Sequence, residues 1–145
     1  MKRSKLFAVL LLCAVSFGII QSAFADENSK AEAYKRQCKS VRYKDVARDP
    51  ERYEEQDITF TGTARHIEED GALTAFQLEQ DNLDEMFSFD NWVAAYFRKQ
   101  GESRIINGDR LKVYGKCKGL TSVQNIFGAT ISVPMIQIRH YERLN

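Results

Sequence analysis

Apolar and polar residues alternate along several segments of the chain, which is the pattern of strands with one buried face. The first such segment covers residues 58–65, where Ile58, Phe60, Gly62 and Ala64 occupy every second position. Four further segments are predicted as strands: residues 72–79, 86–89, 110–117 and 129–138. Pro134 interrupts the last of them, which indicates a sheet edge or a bulge. The pattern therefore predicts a mainly β protein with five strands.

A helical spacing separates the third and fourth predicted strands. Trp92, Val93, Tyr96 and Phe97 recur at intervals of three and four residues, and Gly101 follows the run. This spacing predicts a helix over residues 91–100. We expect Trp92, Tyr96 and Phe97 to plug the base of the sheet rather than to form a site.

The residues before the first strand are predicted to be helical. Residues 26–39 are mostly polar and suit a helix of marginal stability. Val41, Tyr43 and Val46 follow at spacings that give a short apolar helical face. Asp49 and Pro50 are typical of a new helical start. We expect residues 26–56 to form an N-terminal helical segment packed on the sheet, with residues 57–145 as the main domain.

The order of elements is an N-terminal helical segment, three strands, one helix and two strands. Five strands with a helix between the third and fourth are typical of the OB-fold, a small Greek-key barrel. Gly62 and Gly115 both fall at inward strand positions, where a tightly curled sheet needs a bend. The alternative is an open α+β sheet.

Residues 1–25 have the composition of a cleavable secretory signal peptide. Lys2, Arg3 and Lys5 precede an apolar run from residue 6 to residue 20, and the small-x-small site Ala23-Phe24-Ala25 precedes Asp26. The apolar run is shorter than the roughly 20 residues that a membrane-spanning helix needs, so a retained anchor is the weaker alternative. We expect cleavage after Ala25, a periplasmic or secreted protein, and no stable membrane insertion after cleavage.

Removal of this segment changes the charge and the cysteine count. The chain has 145 residues, 28% of them charged; the segment holds three of the 21 basic residues and none of the 20 acidic ones, so the net charge after cleavage is −2. A charge so close to neutral argues against nucleic acid or anionic lipid as a partner. Cys38 and Cys117 remain, and an even cysteine count in an oxidising compartment predicts a disulfide between them. The alternative is two separate buried thiols.

Two stretches of sequence resemble the bacterial extracytoplasmic "tRNA-anti-like" OB-fold family. The first is Tyr43-Lys-Asp-Val-Ala-Arg-Asp-Pro-Glu-Arg-Tyr53 followed by Ile58-Thr-Phe-Thr-Gly62. The second is Asn107-Gly-Asp-Arg-Leu-Lys-Val-Tyr-Gly115 followed by Gly119-Leu-Thr and Gly128-Ala-Thr-Ile-Ser-Val-Pro134. The resemblance implies the barrel. It implies no catalytic residues, because members of that family largely have no assigned reaction.

Basic and aromatic residues alternate along the last two predicted strands. Lys112, Tyr114, Lys116 and Lys118 are predicted to share one strand face, and Arg139, Tyr141 and Arg143 another. If these rows are adjacent, they form a patch that could hold an anionic chain by charge and stacking. An ordinary solvated face with edge-protecting lysines is the competing interpretation.

The segment between the last two strands, residues 118–128, is predicted to be a long loop. It carries the apolar residues Val123, Ile126 and Phe127, which either tuck under the barrel or contact a partner. In OB-folds this loop flanks the binding face of the second and third strands. We therefore expect Ile126 and Phe127 to belong to a ligand-binding site on that face.

Nothing in the sequence places catalytic groups together. His66 and His140 lie near predicted strand ends without clustered metal ligands, and no nucleophile elbow is present. Acidic residues collect in two loops: Glu68, Glu69 and Asp70, and then Asp81, Asp84 and Glu85. These carboxylates could hold a calcium ion or serve a metal-aided hydrolase, but a solvated turn explains them equally well.

The expectation is an exported, non-enzymatic OB-fold binding module without catalytic residues, metal or cofactor. Its ligand would be a protein, a glycan or a small anion. One alternative is the binding of single-stranded nucleic acid or another polyanion through the basic rows. The other is a metal-aided hydrolase that uses the acidic loops.

Overall fold

The computed structural model of the protein describes residues 25–81, 90–125 and 127–145. The chain divides into two compact units, Met1–Arg36 and Gln37–Asn145. The described residues of the first unit belong to a helix, α1, which covers residues 25–37. The predicted signal peptide lies outside the described residues except for its last position. In the residues described, no helix combines the length and the apolar composition needed to cross a membrane.

The second unit is a closed β-barrel. Its strands are β1 (Lys39–Ser40), β2 (Asp57–Asp70), β3 (Leu73–Gln80), β4 (Asn91–Phe97), β5 (Arg110–Gln124) and β6 (Thr130–Arg143). Two short helices, α2 (Tyr43–Arg48) and α3 (Pro50–Tyr53), lie between β1 and β2. The strands are ordered β1-β2-β3-β4-β6-β5, and an additional β2–β5 pairing closes the barrel.

This strand order is that of an OB-fold. The five long strands form the barrel, and β4 lies parallel to β6 while the other barrel pairs are antiparallel. β2 pairs with both β3 and β5, as the first strand of the OB-fold does. The predicted mainly β, five-stranded barrel is confirmed.

Two glycines allow the strands to bend and approach closely enough to close the barrel. Gly62 pairs with Gln80 of β3 and also with Leu111 of β5, and it begins the two-residue overlap in which β2 passes from pairing with β5 to pairing with β3. A Cβ at Gly115 would lie 2.2 Å from the carbonyl oxygen of Gln137, where no side chain fits. The pairing of β5 with β6 shifts register between Tyr114 and Gly115. The curvature predicted from these glycines is therefore present.

The barrel interior is filled by the inward-facing half of each strand. Trp92 is fully buried and stacks on Phe60, with ring centroids 4.5 Å apart. Tyr43 of α2 meets the same indole edge-on at 6.3 Å. Val46 of α2 is also fully buried in the core cluster. The apolar face predicted before the first strand therefore packs against the barrel interior.

The predicted helix over residues 91–100 is wrong, because residues 91–97 form strand β4. Trp92, Ala94 and Tyr96 alternate with partly exposed neighbours along this strand. Val93 and Ala95, which face outward, are also apolar. A strand with apolar residues on both faces matches helical spacing as well as strand spacing, so periodicity alone could not separate the two.

The end of the barrel near β4 is closed by a loop, in the place where an OB-fold helix was expected. The described residues 98–109 contain no helix. Ile105 from this loop is 4% exposed and belongs to the core cluster. The Tyr96 hydroxyl donates a 2.6 Å hydrogen bond to Glu102, and Arg143 donates to the Ser103 hydroxyl oxygen at 2.6 Å. A buried isoleucine and these polar contacts hold the loop on the barrel.

The long loop predicted over residues 118–128 is also largely wrong. β5 continues to Gln124 and β6 begins at Thr130, so most of this segment belongs to a β-hairpin. Backbone pairing joins Leu120 with Pro134 and Gln124 with Thr130. The polar residues Thr121 and Ser122 between the apolar ones made this stretch resemble a loop. The strand predicted over residues 86–89 lies outside the described residues, and β4 is the third strand of the barrel.

The predicted disulfide is absent, and both Cys38 and Cys117 are thiols in the structure. β1 follows Cys38 and pairs with one edge of β2, whereas β5, which contains Cys117, pairs with the other edge. Residues on opposite edges of one strand are two strand spacings apart, which is about 10 Å. The Cα atoms of a disulfide are no more than about 7 Å apart. Strand β2 therefore separates the two cysteines.

Candidate ligand-binding face

Part of the outward side of β3, β4 and β6 is an uncharged strip that we call the outer face. Cross-strand pairing brings its side chains together in rows. The residues of the outer face are Leu73, Ala75 and Gln77 of β3, Val93, Ala95 and Phe97 of β4, and Met135 and Gln137 of β6. Six of these eight side chains are apolar. Because apolar side chains on the outside of a barrel remain hydrated without a partner, this strip is the strongest candidate for a binding surface.

Phe97 is the most exposed residue of the outer face. Its side chain is 58% accessible, and it lies opposite Leu73 in the β3–β4 ladder. The neighbouring Tyr96 points into the barrel and is 4% exposed. The expectation that Trp92, Tyr96 and Phe97 together plug the barrel therefore holds for Trp92 and Tyr96 and is wrong for Phe97, because adjacent strand residues face opposite sides.

Charged residues border the outer face on the β2 side. Glu68 pairs with Ala75 and Asp70 with Leu73 across the β2–β3 ladder. Arg65 lies beside them and forms a 3.7 Å ion pair with Glu79. On the other side, Lys116 of β5 pairs with Gln137. Protein–protein interfaces have the same arrangement, an apolar centre surrounded by a polar rim.

The two predicted basic rows do not form one patch. The register shift at Gly115 sets Tyr114 opposite His140, while Tyr141 pairs with Val113, which is fully buried. Tyr141 accordingly faces the barrel side and meets Tyr96 edge-on at 5.1 Å. Arg139 is exposed at the shift itself. The prediction that Arg139 and Tyr141 share a face is wrong, since the bulge between them reverses the alternation.

Two of the three lysines of β5, Lys116 and Lys118, lie close to carboxylates. Lys118 Nζ is 2.8 Å from Glu55 Oε1. Lys116 Nζ is 3.9 Å from the other Glu55 oxygen and 4.0 Å from Asp57 Oδ1. The hydrogen bond from Lys118 and the nearby positive charges hold the pKa of Glu55 below its usual value. The positive charge of this row is therefore largely matched by carboxylates of the same protein.

The two remaining members of the first row are held against each other. The Lys112 ammonium lies 5.6 Å from the centre of the Tyr114 ring. Tyr114 is only 6% exposed, and its hydroxyl donates to Glu142 at 3.4 Å. A ring buried to this degree offers no free surface on which a nucleobase could stack.

Phe127 lies at the tip of the β5–β6 hairpin and is 87% exposed. The tip is shaped by Asn125, whose side-chain oxygen accepts hydrogen bonds from the backbone of Phe127 and Ala129, each at 3.0 Å. Ile126, the other candidate residue of this segment, lies outside the described residues. The structure therefore places Phe127 in solvent, away from the barrel core.

Two of the acidic residues suggested for metal binding, Glu69 and Asp81, bond to arginines instead. Glu69 forms a two-pronged hydrogen-bonded pair with Arg104, which lowers the pKa of its carboxyl. Asp81 accepts hydrogen bonds from Arg110 at 2.6 and 3.0 Å. Asp84 and Glu85 lie outside the described residues. Among the residues that are described, no group of three or more histidine, cysteine, aspartate or glutamate side chains is placed to hold a metal ion.

The sequence predicted a binding face on the second and third strands, but it did not single out the residues of the outer face. The signal is present in hindsight at residues 91–97, where both alternating sets of positions are apolar. An outward-facing apolar set on a barrel strand marks a surface that something else covers.

Comparisons with known proteins add little to this picture. Neither a protein-family model nor a curated protein sequence matches the chain. In structure the chain is similar to the aspartyl tRNA synthetase from Entamoeba histolytica, with a TM-score of 0.49 and 15% sequence identity. The match covers 77% of this chain and 22% of that one, so the chain spans about a fifth of the enzyme's length. The class of protein, an OB-fold barrel, rests on the strand order described above.

Proposed function

We propose that the chain is an exported, non-enzymatic OB-fold binding module that holds a protein ligand against its outer face. Export is supported by the signal-peptide pattern of residues 1–25. The absence of an enzymatic role is supported by the sequence, which places no nucleophile, base and orienting group together. Binding is supported by the outer face itself.

The observation that carries the proposal is the pairing of Leu73 with an exposed Phe97 at one end of a charge-free strip. The face lies on the second and third strands of the barrel, which is where OB-folds bind their ligands. Its only polar side chains are the amides of Gln77 and Gln137, which are too few to form hydrogen bonds with the many hydroxyl groups of a glycan. An apolar protein surface, with its own charges placed over the rim, fits this arrangement better.

Binding of a polyanion through the β5 lysines receives less support. Lys116 and Lys118 lie within 4.0 Å of carboxylates, so an incoming phosphate would have to displace Glu55 or meet its repulsion. A metal-aided hydrolase also receives less support, because Arg104 bonds to both carboxylate oxygens of Glu69 and Arg110 bonds to one oxygen of Asp81.

Site-specific photo-crosslinking in the source cell tests the proposed ligand face. A photoreactive phenylalanine analogue at Phe97 is compared with the same analogue at Gln100, which is exposed but lies beyond the end of β4. We expect a discrete protein adduct from position 97 that disappears when Ala95→Arg is added, and none from position 100. Equal labelling from both positions, or an adduct indifferent to Ala95→Arg, would contradict the proposed face.

Fractionation of the same cells tests export. The mature chain should begin at Asp26 by N-terminal sequencing and should be found outside the cytoplasm. A chain that retains residues 1–25 in the cytoplasmic fraction would contradict this part of the proposal.

A further inference from the structure

The outer half of the β5–β6 hairpin extends past the strands that close the barrel. We call this part, residues 120–124 of β5 and 130–134 of β6, the hairpin arm. β2 pairs with β5 only as far as Lys116, and β4 pairs with β6 only from Met135 onward. Within the described chain, the strands of the arm pair only with each other. Each therefore has one row of backbone N–H and C=O groups that no other strand satisfies.

The arm lies within the longest uncharged stretch of the chain after the predicted signal peptide. No Lys, Arg, Asp or Glu occurs between Gly119 and Ile138, although 28% of all residues are charged. Three of the six large exposed apolar side chains in the described residues lie on it or at its tip: Leu120, Phe127 and Ile131. Lone hairpins of this composition are marginally stable in water and prone to pairing with further strands.

Proteins usually protect such edges, and the two edges of the arm differ in this respect. β6 contains Pro134, which lacks a backbone donor, directly before its pairing with β4 begins. β5 has neither a proline nor a charged residue over 120–124. Lysine is the commonest protection of an edge strand, and here the last lysine, Lys118, is engaged with Glu55 at the base of the arm. The β5 edge is therefore the open one.

We propose that the β5 edge of the arm pairs with the same edge of a second copy of this chain. The pairing is antiparallel about a twofold axis at Ser122, so that Thr121 of one copy lies opposite Val123 of the other. Leu120, which is 41% exposed, then lies opposite Gln124 and is covered by the partner's arm. The two arms form one continuous four-stranded sheet. A homodimer with this symmetry uses the same patch on both copies.

The chemistry of the edge selects a second copy over a foreign strand. When an edge strand pairs with the same edge of a second copy, like charges must not lie opposite each other. Residues 120–124 contain no charged residue, so this condition is met. A foreign partner of a protein with many surface charges is ordinarily chosen by complementary charge, and the arm offers no charge for this. The proposal is independent of the proposed function, because the outer face lies on β3, β4 and β6 and not on the β5 edge.

Substitution at the twofold axis tests the proposal. Ser122 is exposed and pairs with Ser132, so a long charged side chain there points into solvent in the monomer. We expect the chain 26–145 to sediment as a dimer and the variants Ser122→Lys and Ser122→Glu each to sediment as monomers, because like charges meet at the axis. An equimolar mixture of the two variants should restore the dimer, since a lysine then faces a glutamate.

The control is Ser132→Lys, which carries the same charge on the protected strand of the same arm and should remain dimeric. Among residues 120–124, the backbone amides that point away from β6 should exchange slowly in the wild type and fast in Ser122→Lys. A wild-type chain that is monomeric at every concentration tested, or a mixture that fails to restore the dimer, would overturn the proposal. Neither result would bear on crosslinking at Phe97, which tests the outer face separately.

Discussion

The hydroxyl of Tyr96 donates a 2.6 Å hydrogen bond to the carboxylate of Glu102, six residues further along the chain. Tyr96 lies at the end of β4 with its ring inside the barrel, and Glu102 belongs to the loop that closes this end. The same carboxylate oxygen also accepts a hydrogen bond from the backbone of Lys99 at 3.1 Å. The pair therefore ties the closing loop to the barrel wall, a task that a helix performs in other OB-folds.

Tyr96→Phe should destabilise the protein while leaving its fold intact. The ring still fills the core, but Glu102 loses one of its two hydrogen-bond donors and keeps only the backbone of Lys99, which costs about 1–2 kcal/mol. Urea unfolding followed by the fluorescence of Trp92, the single tryptophan of the chain, measures the change. Glu102→Gln keeps an acceptor for the hydroxyl and should cost less. A Tyr96→Phe variant as stable as the wild type would show that the hydrogen bond does not hold the loop.

Stability should fall at alkaline pH, and Tyr96 should account for part of the fall. Burial, followed by the hydrogen bond to Glu102, raises the pKa of Tyr96 well above its usual value. The unfolded chain ionises this phenol near pH 10, so the contribution is complete below about pH 10 and is lost as the pH rises toward the folded-state pKa.

The same urea unfolding, repeated at neutral pH and above about pH 10, measures this loss. Tyr96→Phe should lose less stability over this range than the wild type does. Tyr141, whose pKa is also raised by burial, should account for part of the remaining loss. Equal losses in the variant and the wild type would contradict the assignment to Tyr96.

Gly115→Ala should be among the most damaging single substitutions in the barrel. The added Cβ would lie 2.2 Å from the Gln137 carbonyl oxygen and 2.8 Å from the Ile138 Cα, and backbone atoms cannot rotate away. Overpacking of this kind costs about 1–3 kcal/mol or more.

Gly71→Ala is the matched control, because nothing lies within 4 Å of its added Cβ and only its φ of +60° opposes the change. It should cost about 1 kcal/mol. Thermal unfolding of both variants gives the comparison. A loss at Gly115 no larger than that at Gly71 would contradict the close approach of β5 and β6.

The two cysteines should differ in reactivity in the folded protein. Cys117 is fully buried, and burial raises the pKa of its thiol, so little thiolate is present at neutral pH. Cys38 is half-buried. Mass spectrometry after alkylation of the chain 26–145 without reductant should show one modified cysteine in the native protein and two after denaturation. A denatured chain with no alkylated cysteine would instead establish a disulfide between Cys38 and Cys117, the two residues that β2 separates in the structure.

The strand alternation was predictable because it depends only on neighbouring residues. Ile58, Phe60 and Ala64 face inward as expected, and Asn107-Gly108 forms the expected turn, with Gly108 at a φ of +93°. The bends at Gly62 and Gly115 were predictable for the same reason. The segment at Trp92 was not, because a strand that is apolar on both sides has no unique period.

The grouping of the candidate site residues could not be predicted. Lys116 and Tyr141 were expected on one patch, yet the one-residue shift at Gly115 turns Tyr141 toward the barrel. The carboxylates that approach Lys116 and Lys118 come from Glu55 and Asp57, about 60 residues earlier in the sequence. Charges so distant along the chain have no local signature.

By itself, then, the sequence of this protein determined which side chains face inward on most strands, where the chain bends and turns, and that five strands form a curled sheet. Only the tertiary structure decided that Phe97 lies opposite Leu73 on an outer face and that a loop with Ile105 closes the barrel. It alone also decided that, among the described strands, only β6 pairs with β5 in the hairpin arm. The physical reason is one of range. Alternation along a strand follows from local backbone geometry, whereas register, bulges and open edges arise from pairings between residues far apart in the chain.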